Sequence, residues 1–318
     1  MLDDSPGVHH VTSIVGDPQR NVDFYADVLG LRLVKRTVNY EDMLRYHLYY
    51  GNGTGDLGTL LTCFPYPNDV PGRLGKPQIS GVSFAIPPGS VPYWTDRLGA
   101  RGVEVTGPRR RFDETVLRFE DDAGTPVELV TADSPVEPWT GGSVPADAAI
   151  RGIHGVTLLP TNPYTTASTL ETLGFDLVGE ERDGDANRIR YRASGDHANV
   201  VDVLDRSASF GREGIGTIHH VAVRVASEEQ LYEWHDLFRE RDYDVSRVRD
   251  RHYFHSLYVR EPGGILFELA TESPGLTADE DPATLGESLV LPDWFEEDRD
   301  LIERQLPPVE LPRRSESE

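Results

Sequence analysis

The chain has 318 residues, and its 54 acidic against 31 basic side chains give a formal net charge of −23. This charge argues against anionic partners, so we expect binding neither to nucleic acid nor to a membrane surface. No apolar run approaches the roughly 20 residues of a membrane span, and the acidic start of the chain is unlike an export signal. We therefore predict a soluble, cytoplasmic protein.

Four segments of the chain repeat one pattern, in which a short apolar strand is followed by a helical stretch and then by several strands. The opening strands begin at Gly7, Ile79, Gly152 and Gly216. Helical periodicity follows each of them, over residues 21–30, 91–99, 167–174 and 229–238. The pattern predicts an α+β fold of four βαβββ modules in two tandem pairs, forming cup-shaped mixed sheets.

The last strands of the second and fourth modules also match each other. Each follows a glycine-containing turn and carries one carboxylate, Glu128 or Glu268. A stretch rich in Pro, Gly, Ser and Asp separates the second module from the third. The predicted domains are an N-terminal domain over 1–131, a linker over 132–151, a C-terminal domain over 152–272 and an acidic, proline-rich tail with one helix over 273–318.

The dipeptide His-His occurs in the opening strands of the first and fourth modules, as His9-His10 and as His219-His220. Glu268 lies in the last strand of the fourth module. Two histidines and one carboxylate on strands are the side chains that a 2-His-1-carboxylate iron site requires. A thiolate metal cluster and an internal disulfide are excluded, because Cys63 is the only cysteine.

The repeat pattern resembles the vicinal oxygen chelate superfamily, which includes glyoxalase I, bleomycin-resistance proteins and extradiol dioxygenases. The resemblance covers residues 7–272, and it implies that two modules pair edge to edge and curl into a cup around a metal. Three stretches are similar to the para-hydroquinone ring-cleaving dioxygenases in particular: His9-His-Val-Thr12, Lys35-Arg-Thr-Val-Asn39 and the segment 251–271.

An alignment of the four opening strands indicates which modules hold the metal. The position of His10 is occupied by His220 in the fourth module, but by Gly81 and Gly155 in the second and third. His154 is offset by one residue and would face the other side of a regular strand, so we expect it to be packed or hydrogen-bonded. The predicted metal ligands are therefore His10, His220 and Glu268.

A fourth ligand is absent from the sequence. Glyoxalase-type isomerases complete the site with a second carboxylate from the last strand of the partner module, and residues 58–64 contain none. Three protein ligands leave open positions for a substrate oxygen and O2. The resemblance therefore implies a non-haem Fe(II) ring-cleaving dioxygenase of the extradiol type, acting with O2 on hydroquinone- or catechol-type aromatic diols, with Mn(II) as the alternative metal.

Several residues are predicted to assist the metal. The Pro-Gly-Gly loop at 262–264 favours a hairpin that sets Tyr258 directly opposite Glu268, within reach of a metal-bound substrate oxygen. Arg251 is expected to supply positive charge for a bound hydroquinonate.

The neighbours of the ligands are His9, His219 and Thr12, which we expect to orient the ligands or to line the cavity. Strand alternation predicts that the first histidine of each pair faces away from the second. We interpret His255 as structural, on the face opposite Tyr258. The remaining histidines are interpreted as surface or core residues, and they are His47, His197, His235 and His252.

Two alternatives to ring cleavage stay open. One is a metal-dependent isomerase or epimerase of the glyoxalase type, and the other is a metal-free binding protein similar to the bleomycin-resistance members. Lysine is almost absent, with only Lys35 and Lys76, and such an acidic surface favours a halophilic protein. The sequence does not determine whether the chain forms a homo-oligomer or whether the tail covers the site.

Overall fold

The four repeats account for most of the computed structural model, which describes residues 2–311. The first repeat contains β1 (Val8–Val15), α1 (Pro18–Val22), a π-helical turn (Asp23–Val28), β2 (Arg32–Asn39), β3 (Asp42–Gly51) and β4 (Leu60–Pro65). The second contains β5 (Gln78–Ile86), a 3-10 turn (Pro88–Ser90), α2 (Val91–Ala100), β6 (Thr106–Arg111), β7 (Glu114–Glu120) and β8 (Pro126–Thr131). The predicted α+β class is confirmed.

The second half of the chain repeats this order. The third repeat contains β9 (Ile153–Leu159), α3 (Pro163–Thr172), β10 (Asp176–Asp183), β11 (Ala186–Arg192) and β12 (Val200–Asp205). The fourth contains β13 (Thr217–Val225), α4 (Glu228–Glu240), β14 (Asp244–Val245), β15 (Arg249–Asp250), β16 (His255–Arg260) and β17 (Leu266–Thr271). A 3-10 turn (Asp293–Asp298) and α5 (Arg299–Gln305) follow in the tail, of which residues 312–318 lie outside the described residues.

The helices form where the sequence periodicity predicts them. The first begins earlier than expected, because Asp17 accepts a hydrogen bond from Arg20 N at 2.9 Å and Pro18 suits a first helical turn. In α4, three large side chains recur at helical spacing and are buried, namely Leu231, Trp234 and Phe238. α4 packs against β16 and β17 and so supports the strands that carry the candidate site.

The first strand of every repeat pairs in parallel with the last, as β1 with β4, β5 with β8, β9 with β12 and β13 with β17. The repeats then join through antiparallel pairing of their first strands, β1 beside β13 and β5 beside β9. The first repeat thus joins the fourth, which we call the outer-pair half-sheet, and the second joins the third, the inner-pair half-sheet. Both pairings connect the N-terminal half of the chain with the C-terminal half. They do not test where one domain ends and the next begins, so the predicted division with a linker at 132–151 stays a prediction.

Both junctions between repeats contain the same two β-bulges. Along β1 and β13, successive partners are Val8 with Val223 and His10 with Ala222, so that His9 is an extra residue in β1. His219 is the extra residue in β13, and Ser80 and His154 are the extra residues of the inner-pair junction. A bulge interrupts the alternation of side chains between the two faces of a strand.

Among residues 2–311, none of the helices combines the length and the apolar composition that crossing a bilayer requires.

Candidate metal centre

Three neighbouring strands bring His10, His220 and Glu268 together. His10 on β1 and Glu268 on β17 both lie opposite Ala222 of the central strand β13. His220 precedes Ala222 by two residues, so its side chain lies on the same face. The three side chains come from residues that are only 1–2% exposed. Within residues 2–311 they form one group whose potential ligand atoms all lie within 4.8 Å of one another.

The distances between these atoms suit a shared cation. Glu268 Oε2 lies 3.0 Å from His10 Nε2 and 3.0 Å from His220 Nε2, and the two nitrogens are 3.3 Å apart. Metal–ligand bonds of about 2.1 Å at right angles would separate neighbouring ligand atoms by about 3.0 Å. Glu268 Oε2 is also buried without a hydrogen-bond partner among the described residues. The donor set therefore fits a divalent metal.

The first histidine of each pair holds the ring of the second. His9 Nε2 lies 3.2 Å from the carbonyl oxygen of Thr271, to which it donates. His9 Nδ1 then accepts from His10 Nδ1, 2.9 Å away, and His10 Nε2 keeps a free lone pair. His219 Nδ1 and His220 Nδ1 are 2.7 Å apart, so a hydrogen bond from the ring of His220 to that of His219 has the distance it requires. A partner on the far nitrogen fixes the tautomer of a ligating imidazole and raises its basicity.

The orientation predicted for His219 is wrong. Strand alternation would place it on the face opposite His220, whereas its side chain lines the same cavity. The bulge at His219 removes the alternation at this point. His9 is buried and packs against Phe254, with ring centroids 5.1 Å apart.

Burial sets the protonation states at the centre. Loss of solvation lowers the pKa of His220 to about 4 and that of His9 to about 3. Burial opposes ionisation of Glu268, but its interactions with His220 and His10 outweigh burial and hold the pKa of this carboxyl well below its usual range. At neutral pH, His220 is neutral and Glu268 is ionised, as metal binding requires.

A cavity of about 470 Å³ opens onto the three side chains. This volume is in the range of small-molecule sites, which is about 300–1,000 Å³. Aromatic side chains from both repeats line it, namely Tyr40, Tyr49, Phe64, Tyr66, Phe254 and Tyr258. The tail contacts one of these lining residues, because the ring centroid of Trp294 lies 5.6 Å from that of Tyr40.

Tyr258 lies opposite Glu268 in the β16–β17 register, which confirms the register predicted from the hairpin loop. Its ring packs against His220, with centroids 5.2 Å apart. Burial and then the nearby Glu268 raise the pKa of Tyr258, so its hydroxyl stays protonated as a donor. The guanidinium of Arg251 lies 5.4 Å from the centroid of the Tyr258 ring and donates to Glu41 Oε1 at 3.1 Å.

A hydrogen-bonded chain runs along the wall formed by β1, β3 and β4. Thr12, the β1 partner of His220, has its hydroxyl 2.8 Å from Thr62 Oγ1. Thr62 Oγ1 lies 2.8 Å from His47 Nε2, and His47 Nδ1 lies 3.0 Å from the Tyr49 hydroxyl. His47 lines the cavity, so its interpretation as a surface or core residue was wrong. Its position two residues before Tyr49, on the same face of β3, is the signal that could have identified it.

Other predicted residues lie away from the three side chains. His255 Nε2 is 3.9 Å from Glu228 on α4, His197 Nε2 contacts the carbonyl oxygen of Leu57, and His235 contacts its neighbour Asp236. His154 Nε2 lies 3.0 Å from Glu114 Oε1 and its side chain is largely buried, which agrees with the prediction that it is packed.

The inner-pair half-sheet repeats the backbone register with other side chains. The positions of His10 and His220 are taken by Gly81 and Gly155. The neighbouring last strands carry Glu128 and Asp202. Arg111 binds Glu128 through two hydrogen bonds of 2.6 Å. Arg190 and Arg188 bind Asp202 at 2.8 and 2.9 Å.

Comparisons with known proteins place the chain in a family. The model of the Glyoxalase/Bleomycin resistance protein/Dioxygenase superfamily matches residues 7–129 and 170–269. The chain therefore belongs to this superfamily, and the resemblance found in the sequence is confirmed.

Individual relatives cover nearly the whole chain. MhqO of Bacillus subtilis (strain 168), provisionally named a ring-cleaving dioxygenase, is 42% identical over 98% of this chain and 99% of its own length. The chlorohydroquinone/hydroquinone 1,2-dioxygenase of Sphingobium indicum is 36% identical over 94% of this chain and 95% of its own. A Bacillus subtilis crystal structure, provisionally described as a dioxygenase, matches with a TM-score of 0.93 at 42% identity, over 98% of this chain and 99% of that one.

Proposed function

We propose that this protein is a non-haem Fe(II)-dependent, ring-cleaving dioxygenase that acts with O2 on hydroquinone- or catechol-type aromatic diols. The observation that carries the proposal is the convergence of His10, His220 and Glu268 beside a cavity, with no fourth ligand in that group among residues 2–311. Three ligands on one face leave positions for two further oxygen ligands, as in the oxygenases that use this triad. The name of the Sphingobium relative favours para-diols as substrates.

Each candidate residue then has a defined task. His10, His220 and Glu268 would hold the metal, which when bound would relay electron density from the diol to O2 without net oxidation of the metal. His9 and His219 fix the tautomers of the two ligating imidazoles. Mn(II) suits the same nitrogen and oxygen donors.

The cavity residues would bind and orient the ring. Tyr258 keeps its proton and can donate a hydrogen bond to a substrate oxygen close to Glu268. Arg251 offers a fixed positive charge that would stabilise an ionised hydroquinone. Phe64 and Phe254 present apolar surface that would contact the ring and exclude water. Thr12 belongs to the hydrogen-bonded wall that keeps His47 in place.

The isomerase alternative would need a second carboxylate at the metal. The strand position that corresponds to Glu268 in the first repeat is Thr62, which pairs with Thr12 as Glu268 pairs with Ala222. A threonine hydroxyl bonded to Thr12 and His47 cannot serve as the base of an isomerase. This observation favours oxygenase chemistry.

The test is anaerobic purification with ferrous iron, followed by O2 uptake with a panel of hydroquinones and catechols. We expect about one iron per chain, O2 uptake with at least one para-diol, and a ring-opened product that contains both atoms of isotopically labelled O2. Iron bound at this stoichiometry without O2 uptake on any diol would refute the proposal. Tight binding of an aromatic ligand to the metal-free protein, without turnover of the loaded one, would favour the binding-protein alternative.

A further inference from the structure

Lys35, one of only two lysines in the chain, is fully buried on β2. Its ammonium donates to Asp279 Oδ1 at 2.7 Å and also to Glu280, and it lies 4.8 Å from the centroid of the Tyr253 ring. Burial of an ammonium is costly unless the charge is paired. The protein therefore carries a paired charge at a place where an apolar side chain would cost less to bury.

Asp279 connects this lysine to a loop of the fourth repeat. One carboxylate oxygen, Oδ1, accepts from Lys35. The other, Oδ2, accepts from the hydroxyl of Tyr253 at 2.9 Å and lies 2.8 Å from His252 Nε2. A single carboxylate thus holds two successive side chains of the loop in place.

The loop, residues 250–254, is the segment that supplies two side chains to the cavity. Arg251 and Phe254 line the cavity, and Phe254 packs against the rings of both His9 and His10 at 5.1 and 5.4 Å. The backbone N–H of Arg251 donates to the carbonyl oxygen of Phe254 at 2.8 Å and closes a tight turn.

His252, between these two residues, has a backbone φ of 66°. This is the left-handed region, which residues other than glycine rarely adopt. Such a conformation persists only when the surrounding contacts enforce it. The contacts from Asp279 to His252 and Tyr253 are of this kind.

The segment that carries Asp279 is held to β2 at other points as well. Arg36 donates to the carbonyl oxygen of Glu287 at 2.8 Å, and the N–H of Val290 donates to the carbonyl oxygen of Arg36 at 2.9 Å. These contacts attach residues 276–291, which we call the strap, at its far end from Asp279. Arg36, the residue next to Lys35, therefore offers a matched control, because its side chain binds the strap but not Asp279.

We propose that the buried Lys35–Asp279 pair is a positioning device for the candidate active site. Through Asp279 it fixes His252 and Tyr253 and so sets Arg251 and Phe254 in the cavity. Lys35 is a positioning residue, because the residues that line the cavity do not include it. The inference rests on the proposed function for the task of the loop, but the coupling of Lys35 to the loop is a property of the chain alone.

The first test measures amide hydrogen exchange in the metal-free protein. We compare Lys35→Met, Asp279→Asn and Tyr253→Phe with the control Arg36→Met. Exchange across residues 250–255 should rise by about tenfold or more in the first two variants and less in Tyr253→Phe, which loses one bond. Arg36→Met should raise exchange within the strap and near Val309, whose carbonyl oxygen Arg36 also contacts, but not across residues 250–255. Unchanged exchange at 250–255 in both Asp279→Asn and Tyr253→Phe would overturn the proposal, even if Lys35→Met fails to fold.

The second test uses the iron-loaded protein. Displacement of Arg251 and Phe254 should lower kcat by about tenfold to a hundredfold in Asp279→Asn, with the iron content unchanged, because small displacements of orienting groups are costly. Arg36→Met should keep kcat near that of the unmodified protein. Equal kcat losses in the two variants would assign the effect to general destabilisation and contradict the proposal. If the proposed function is wrong, the unmodified protein will show no O2 uptake. The hydrogen-exchange result would still test the coupling of Lys35 to the loop in that case.

Discussion

The outer-pair and inner-pair half-sheets share one backbone plan and differ in the side chains at its centre. Four inward positions, one on each first and last strand, are equivalent by register. In the outer pair they are His10, Thr62, His220 and Glu268. In the inner pair they are Gly81, Glu128, Gly155 and Asp202. At these four positions, only the outer pair therefore presents imidazole nitrogens.

The residues opposite the last-strand positions differ in the same way. In the outer pair, Tyr258 lies opposite Glu268 and Tyr49 opposite Thr62. In the inner pair, arginines take these places, with Arg118 opposite Glu128 and Arg190 opposite Asp202. Tyrosine leaves the carboxylate available to a metal and can donate one hydrogen bond, whereas a guanidinium neutralises the carboxylate itself.

The difference shows that two paired βαβββ units do not make a metal centre by themselves. In the inner pair, the two carboxylates are satisfied by buried arginines such as Arg111, which meets Glu128 in a two-bond contact. The glycine at 155 is also required by packing, because a Cβ there would lie 2.2 Å from the carbonyl oxygen of Val200. A histidine ligand at this position is thus sterically excluded.

The largest expected effect comes from replacing Glu268, the last-strand carboxylate of the outer pair, and comparing the result with the same change at Glu128 of the inner pair. Glu268→Gln should lower ring cleavage by at least about a thousandfold, because a neutral amide is a weaker metal ligand and several kcal/mol of metal assistance are lost. Iron content and O2 uptake measure this loss.

The matched variant is Glu128→Gln. It should keep iron and activity but lower the free energy of unfolding by about 3–5 kcal/mol, since it removes one partner of a buried ion pair. Loss of iron in Glu128→Gln would show that the two half-sheets are not functionally distinct.

A second variant would turn the first repeat into the pattern of the others. Thr62→Glu places a carboxylate on β4 at the residue equivalent to Glu268. This carboxylate would bind the metal at a coordination position that substrate or O2 occupies under the proposed function. Ring cleavage should fall by at least about a hundredfold while the metal is bound more tightly. The neutral Thr62→Gln is the control, because it loses the same hydrogen bonds to Thr12 and His47. An equal loss in both variants would leave the added charge without a role.

Tyr258→Phe tests the tyrosine of the outer pair. Loss of the donated hydrogen bond should lower kcat by about tenfold to a hundredfold, with iron content unchanged. Tyr49→Phe, at the equivalent place of the first repeat, loses only its bond to His47 and should cost about 1 kcal/mol of stability. Steady-state kinetics and chemical unfolding of both variants decide between these roles.

The smallest expected effect on ring cleavage concerns the ion pairs of the inner pair. Burial opposes ionisation of Glu114, but hydrogen bonding with His154 and the charge of Arg190 outweigh it and lower the pKa of this carboxyl to about 2. A pKa lowered by folding gives stability that is present above the unfolded value, about 4.3, and lost as the pH falls toward 2. Unfolding followed between pH 5 and pH 2 should show this loss, and Glu114→Gln should reduce it.

Local sequence was sufficient for much of the candidate site. The repeat itself, the histidines that distinguish the first and fourth opening strands, and the carboxylate of the last strand are all visible in short motifs. The Tyr258–Glu268 register follows from a three-residue loop, because loop length sets the pairing of a hairpin.

The sequence by itself thus determined the fold class, the three side chains that could bind a metal and one of their neighbours, since these depend on alternation, turn length and residue type. The tertiary structure alone decided which way His219 faces, that His47 reaches the cavity, and that Lys35 meets Asp279, 244 residues further along the chain. The bulge at His219 and the Lys35–Asp279 contact arise where strands or segments distant in sequence meet. Their register and spacing depend on packing across the whole sheet, which no local pattern encodes.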